Sequence, residues 1–328
     1  MKLLRCFVVV LCCAMTCSAA ELPKCYQSMN HVTWIVHNVD HVKAAWRALG
    51  LSDIEESPHV QYSGEYRGKP VTIRARQVTG HLGNLTVDFI QPAQGQVNAF
   101  SGFLSSHDDG IFSFVFQVSS KEEMNKEIQR LGSLGVDVLQ QLTVNERGTP
   151  VTLTYFNTEP RGKYVLGLMY SPVATPSPGG KSMVSHFGAV VRDIPPVSAY
   201  WQRLGFQTIP IEHATPRKDM RYRGKPLWFY FDVGFQRYNA QFAVEWISAP
   251  AIPPNIYADY LKLHGEGIQH IGMPVDDLSR SVAAYERHGY SIWQAGAWGD
   301  VGKKDSGQYD YMDTDSIGGM SVELIHAY

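Results

Sequence analysis

The sequence predicts an α+β protein made of two copies of one domain, each copy assembled from two units of the form βαβββ. Three observations predict it. Tyr66-Arg67-Gly68-Lys69-Pro70 returns unchanged as Tyr222-Arg223-Gly224-Lys225-Pro226, an offset of 156 residues. Asn98, Phe100, Phe103, Leu104, His107, Gly110 and Ile111 correspond to Asn255, Tyr257, Tyr260, Leu261, His264, Gly267 and Ile268 at an offset of 157. Two separate matches at nearly one spacing mark an internal duplication. Finally, each half contains two β-rich starts, and each start runs into a short amphipathic helix that stops at a glycine.

Residues 1–20 read as a secretory signal. Lys2 and Arg5 precede an apolar run from Phe7 to Met15, and Ser18-Ala19-Ala20 supplies small residues for cleavage. A lipid anchor at Cys17 is disfavoured, because Ala14-Met15-Thr16 is a poor attachment context. The run is too short to span a bilayer, and nothing later approaches the ~20 apolar residues a membrane helix needs. Cys6, Cys12, Cys13 and Cys17 leave with the signal, so Cys25 has no internal disulfide partner. Stability must come from cores, and about 300 remaining residues suffice for two domains.

The first unit opens with Val32–Val36. A helix from about Asp40 follows, with Val42, Ala45, Trp46 and Leu49 on one face and Gly50 as its stop. In the second, Ile111–Val118 leads to a capping box of Ser120 and Glu123, then Met124, Ile128, Leu131 and Gly132. A Thr175–Gly180 stretch rich in proline, serine and glycine divides the halves, giving domains at 21–172 and 183–328 joined by a linker at 173–182. The third unit runs from Phe187–Val191 through Pro195-Pro196 to Tyr200, Trp201, Leu204 and Gly205. The fourth runs from Ile271–Val275 to Leu278, Val282, Tyr285 and Gly289. The closing strand of each unit is its most apolar: Leu85–Ile90, Tyr164–Tyr170, Phe242–Ile247 and Met320–Ile325.

With a formal net charge of −2 and no basic block, the composition argues against a nucleic-acid partner. It also gives no reason to expect a membrane partner once the signal is removed. A small-molecule substrate is expected, and the oligomeric state is open.

The first and last strands carry polar residues where packing alone would place apolar ones. First strands present His31, Ser113, His186 and His270; last strands present Asp88, Gly167, Glu245 and Glu323. At the repeat offset the four of one half map onto the four of the other. In the second half, two imidazoles and two carboxylates suit a divalent metal such as Zn, Ni, Co, Mn or Fe. Carboxylates inside Val322-Glu323-Leu324-Ile325 and Ala243-Val244-Glu245-Trp246-Ile247 are costly to bury without a cation or donor. Ser113 and Gly167 cannot ligate as an imidazole and a carboxylate do. The first domain is therefore expected to be metal-free, with His31 and Asp88 a hydrogen-bonded remnant.

His107 and His264 recur in a helix-and-loop connection and read as capping or packing residues. The repeated Tyr-Arg-Gly-Lys-Pro reads as a turn into a strand, although its cations could meet an anionic substrate. Tyr309 and Tyr311, on a strand before Glu323, are candidates for a pocket wall or for packing.

Paired βαβββ units with histidine on the first strand and glutamate on the last resemble the vicinal oxygen chelate superfamily, which includes glyoxalase I, methylmalonyl-CoA epimerase, extradiol dioxygenases and bleomycin-resistance proteins. The resemblance covers nearly all of the chain after the signal. It is most specific over Tyr260–Gly272, which looks like the segment joining two units in the epimerase branch, and over Asp313–Glu323. It implies two domains of curved mixed sheets, each around a cleft, with His186, Glu245, His270 and Glu323 as metal ligands.

Four ligands lean toward the glyoxalase and epimerase branch, an isomerase or lyase chemistry in which Glu323 or Glu245 also moves a proton. His186, His270 and Glu323 alone would instead make an extradiol-type iron site. A metal-free binding protein is the third reading. Export to the periplasm or medium departs from family members that use cytosolic thiol cofactors. It favours a small oxygen-bearing substrate such as a hydroxy-acid, dicarbonyl, catechol or sugar derivative.

Overall fold

A computed structural model describes residues 22–27, 29–173, 182–215, 219–238 and 242–328. The expected signal peptide and residues 174–181 of the expected linker lie outside them. The first unit comprises β1 (Met29–Ile35), α1 (Val39–Ala48), β2 (Ser52–Tyr66), β3 (Lys69–Leu82) and β4 (Leu85–Pro92). After α2 (Ala99–His107) comes the second: β5 (Gly110–Gln117), α3 (Lys121–Ser133), β6 (Val138–Glu146), β7 (Thr149–Phe156), α4 (Glu159–Gly162) and β8 (Val165–Tyr170). The third contains β9 (His186–Val190), α5 (Ile194–Arg203), β10 (Glu212–Ala214), β11 (Arg221–Tyr222), β12 (Lys225–Pro226), β13 (Phe231–Arg237) and β14 (Ala243–Ser248). Then α6 (Ile256–Leu263) leads to β15 (Gly267–Pro274), α7 (Leu278–Arg287), β16 (Ile292–Trp298), β17 (Gly307–Met312) and β18 (Ser321–Ala327). The α+β class and the four-unit organisation stand as the sequence predicts, with the second and third strands of the third unit each broken in two.

Local chemistry explains the element ends. Asn38 caps α1 by accepting from the His41 amide, Val39, Val42 and Trp46 are buried, and Gly50 follows at a φ of 112°. The Ser120 side chain accepts from the Glu123 amide, while the Glu123 carboxylate accepts from the Ser119 amide and hydroxyl rather than from Ser120. The box is thus displaced by one residue. Both copies of Tyr-Arg-Gly-Lys-Pro form the expected hairpin turn. Arg67 and Gly68 have φ of 50° and 71°, and Arg223 and Gly224 have 47° and 74°, the pair of left-handed residues a tight hairpin needs.

The two sheets differ. In the first domain, the order β1-β4-β3-β2-β6-β7-β8-β5 closes into a barrel, sealed by Tyr62–Tyr66 of β2 pairing with Gln140–Val144 of β6. Ile35, Tyr62, Ile73, Phe100, Phe112 and Tyr155 belong to the cluster that packs it. In the second domain, β10 with β11 stands in for β2, and β12 with β13 stands in for β3. The pieces part company: β10 stays on β13, whereas the β11–β12 hairpin attaches to β16. The resulting ten-stranded sheet is open. The stretch equivalent to β2 contains Pro210, which lacks a ladder donor, whereas β2 accommodates Pro58 at an irregularity between Ser57 and Val60.

One apolar cluster runs through both domains and joins them. Its polar pins are reciprocal. Trp46 of α1 donates its indole N–H to the Ile317 carbonyl at 2.9 Å, and Trp201 of α5, its repeat equivalent, donates to the Gly162 carbonyl at 3.1 Å. His107 Nδ1 lies 2.7 Å from the His264 carbonyl, and His264 Nδ1 lies 2.7 Å from the His107 carbonyl. These histidines therefore join the domains, and His264 also ends α6. Among the described residues, no helix is long and apolar enough to cross a membrane.

Candidate metal centre

All four units share one strand register. The residue two places after the first-strand position pairs with the last-strand position: Gly188 with Glu245, Gly272 with Glu323, Thr33 with Asp88 and Val115 with Gly167. The first strands of paired units then meet antiparallel. Gly188 faces His270 and Gly272 faces His186; in the first domain Thr33 faces Ser113 and Val115 faces His31. Because side chains alternate along a strand, all four ligand positions of a domain fall on its inner face.

In the second domain this brings four donors together. His186 Nε2 lies 3.3 Å from Glu245 Oε2 and 3.1 Å from Glu323 Oε2, and His270 Nε2 lies 3.2 and 3.5 Å from the same atoms. The two Nε2 atoms are 3.2 Å apart. Donors held ~2.1 Å from a shared ion stand roughly 3.0–3.4 Å from one another, so the spacing fits a single cation. Glu323 Oε2 is buried and has no hydrogen-bond partner among the described residues.

The far side of each ring is held. Gln269 Oε1 sits 2.8 Å from His270 Nδ1, and Ser185 Oγ sits 3.1 Å from His186 Nδ1 while within 3.1 Å of the Gly272 carbonyl. Gln269 Oε1 can only accept, so Nδ1 of His270 carries the proton and Nε2 presents a lone pair to the cluster. If the Ser185 hydroxyl donates to Gly272, His186 takes the same tautomer. Burial opposes charge on both His186 and Glu245, but the facing groups outweigh it: Glu245 and Glu323 raise the pKa of His186, and His186 and His270 lower that of Glu245.

The glycines opposite the histidines make room for them. A Cβ at Gly188 would overlap the His270 ring, and one at Gly272 would overlap the His186 ring. These two residues are missing from the sequence-based site, yet their signal is simple: His186-Phe187-Gly188 and His270-Ile271-Gly272 share a His-x-Gly spacing, against His31-Val32-Thr33 and Ser113-Phe114-Val115. In the first domain Thr33 and Val115 occupy those places, and a Cβ on Gly167 would stand 2.8 Å from Ser113 Oγ and 2.9 Å from a Val115 methyl. His31 remains 3.6 Å from Asp88, with its pKa lowered by burial despite that carboxylate.

The cluster forms part of the wall of a cavity of 890 Å³ whose lining includes His186, Glu245, Glu323, Tyr309 and Tyr311, so both sequence-predicted tyrosines face it. Tyr311 packs its ring 5.1 Å from His270 and accepts from the Tyr257 hydroxyl at 3.2 Å. Phe235, which sequence reasoning also missed, stands edge-on to His186 at 5.6 Å. The repeated Tyr-Arg-Gly-Lys-Pro turn contributes nothing to this lining.

Residues 185–306 match the family model described as the Glyoxalase/Bleomycin resistance protein/Dioxygenase superfamily. The superfamily resemblance is thereby borne out over residues 185–306, without a choice of branch. The fold is similar to that of a 4-hydroxymandelate synthase mutant from Streptomyces coelicolor, with a TM-score of 0.61 at 13% identity over 92% of each chain. It is also similar to a Mn(II)-bound glyoxalase from Novosphingobium aromaticivorans, with a TM-score of 0.51 at 14% identity over 92% of this chain and 82% of that one. No curated protein sequence matches the chain. His186, Glu245, His270 and Glu323 form a group that can hold a divalent metal.

Proposed function

We propose that the second domain is a metal-dependent isomerase or lyase of glyoxalase or epimerase type, acting on a small oxygenated compound. The observation that carries this reading is the convergence of two imidazoles and two carboxylates on the wall of a cavity of small-molecule size. A divalent ion in this group supplies Lewis acidity at a substrate oxygen and so acidifies a neighbouring C–H. His186 and His270 would hold the ion through Nε2. Glu245 and Glu323 would complete its ligands, and because both face the cavity either carboxylate could take a proton from a substrate carbon and return it. The Tyr311 hydroxyl and the apolar wall orient the substrate and exclude water from the proton path.

An extradiol-type dioxygenase is the second reading, favoured by one feature. Glu245 is the more exposed of the two carboxylates, at 14% against 8% for Glu323. His186, His270 and Glu323 would then be the ligands, with Glu245 beside them.

Solvent deuterium appearing at a substrate C–H with Zn, Ni, Co or Mn bound supports the isomerase or lyase. Oxygen uptake on catechols with iron bound, surviving Glu245→Ala, would replace it with the dioxygenase. Purified protein that holds no metal would leave a binding protein. Export is part of the proposal, resting on residues 1–20. Detection of a chain beginning near Glu21 in the periplasm or medium supports it, and a cytosolic chain retaining residues 1–20 would reject it.

A further inference from the structure

One wall of the cavity carries a cation at a defined distance from the metal group. On β13, Phe231, Val233, Phe235 and Arg237 alternate onto the inner face and line the cavity. Phe235 pairs with Glu245 and Arg237 pairs with Ala243; Val244 pairs with Phe187, which aligns Ala243 with His186. Arg237 thus belongs to the same cross-sheet row as His186, two inter-strand spacings or roughly 10 Å away. Phe235 fills the interval: its ring is 5.6 Å from that of His186, and the Arg237 guanidinium lies 5.9 Å from its centroid. On this wall, Glu212 pairs with Val233, four residues along β13 from Arg237 and beyond the metal row, roughly 13 Å away.

We propose that Arg237 is the anion-recognition residue of this cavity. The substrate then carries a carboxylate or comparable anionic group about one ring's length from the two oxygens that meet the metal, with its flat or apolar middle against Phe235. This rests on the metal-dependent reading above and narrows its substrate class. A guanidinium on the cavity wall gains most from an anion that Phe235 helps to desolvate, and the planar fork discriminates carboxylate from a neutral group of the same size.

The test uses the full chain loaded with zinc, its metal content measured first, and three bidentate oxygen ligands: benzohydroxamate, its 4-carboxy derivative and the methyl ester of that derivative. Calorimetric titration of the wild type should show the 4-carboxy compound binding roughly tenfold or more tightly than either the neutral ester or unsubstituted benzohydroxamate. Arg237→Met should abolish that preference with zinc content unchanged, Arg237→Lys should retain part of it, and Arg237→Glu should invert it. A preference that is absent in the wild type, or that persists in Arg237→Met with zinc bound, overturns the assignment and leaves the metal reading standing. A wild type that holds no zinc or other divalent ion overturns both.

Discussion

The two domains share one strand register but treat the centre of the sheet differently. In the first, Thr33 and Val115 occupy the positions facing Ser113 and His31, β2 runs unbroken into pairing with β6, and the barrel closes with an apolar cluster packed beside His31 and Asp88. In the second, Gly188 and Gly272 clear space for His270 and His186, the strand equivalent to β2 is split, and the sheet stays open beside a cavity. Ligand loss, filling of the ligand space and closure thus go together. A metal site on this scaffold needs the glycines and the gap as much as it needs its donors.

The largest expected effect, complete loss of bound metal, comes from copying the first domain into the second. His270→Ser with Gly188→Thr reproduces the Ser113 and Thr33 pair, and the protein should fold while losing its bound metal, read by elemental analysis beside circular dichroism. Gly188→Val alone should add a loss of fold stability, since its side chain overlaps the retained His270 ring. Overpacking of this kind costs about 1–3 kcal/mol or more, measurable by denaturant titration. The converse sharpens the point. Ser113→His with Gly167→Glu in the first domain should fail to create a site unless Thr33→Gly and Val115→Gly accompany it, as equilibrium dialysis with zinc would show.

Next are the reciprocal indole pins. Trp46→Ala and Trp201→Ala should each destabilise the protein by about 3–5 kcal/mol. Similar losses are expected because the residues occupy equivalent places on either side of the domain boundary. A loss at one position only would show that the pseudo-symmetry of the contacts is not one of energies.

The smallest effect is a pH dependence. Burial opposes protonation of His107 and His264, but Glu159 and the His264 carbonyl raise the first, and Asp315 and the His107 carbonyl raise the second. A raised folded-state pKa means that the added stability is fully present below the ordinary histidine value and is lost as pH rises through the folded-state value. Thermal melts across that range should fall on the alkaline side, and His107→Gln with His264→Gln should flatten this component.

Much of this was legible in the sequence because it is periodic. The pentapeptide and the Asn98 and Asn255 blocks reveal the duplication, and aligning the copies puts His186, Glu245, His270 and Glu323 in correspondence with His31, Asp88, Ser113 and Gly167. What stayed hidden depends on pairing between strands distant in the chain. The need for glycine at 188 and 272 appears only when β9 and β15 are laid antiparallel, although the repeated His-x-Gly was there to be read. Arg237 joins the His186 row only through the registers of three strands. The reciprocity of His107 and His264 needs the two domains docked, since each ring reaches a carbonyl 157 residues away.

The central claim is that the second domain alone carries the metal. Metal equivalents per chain, measured on the wild type, His270→Ala and His31→Ala purified alike, test it most directly. The account predicts one equivalent in the wild type, near zero in His270→Ala and an unchanged value in His31→Ala. Metal that survives His270→Ala but is lost from His31→Ala would contradict it.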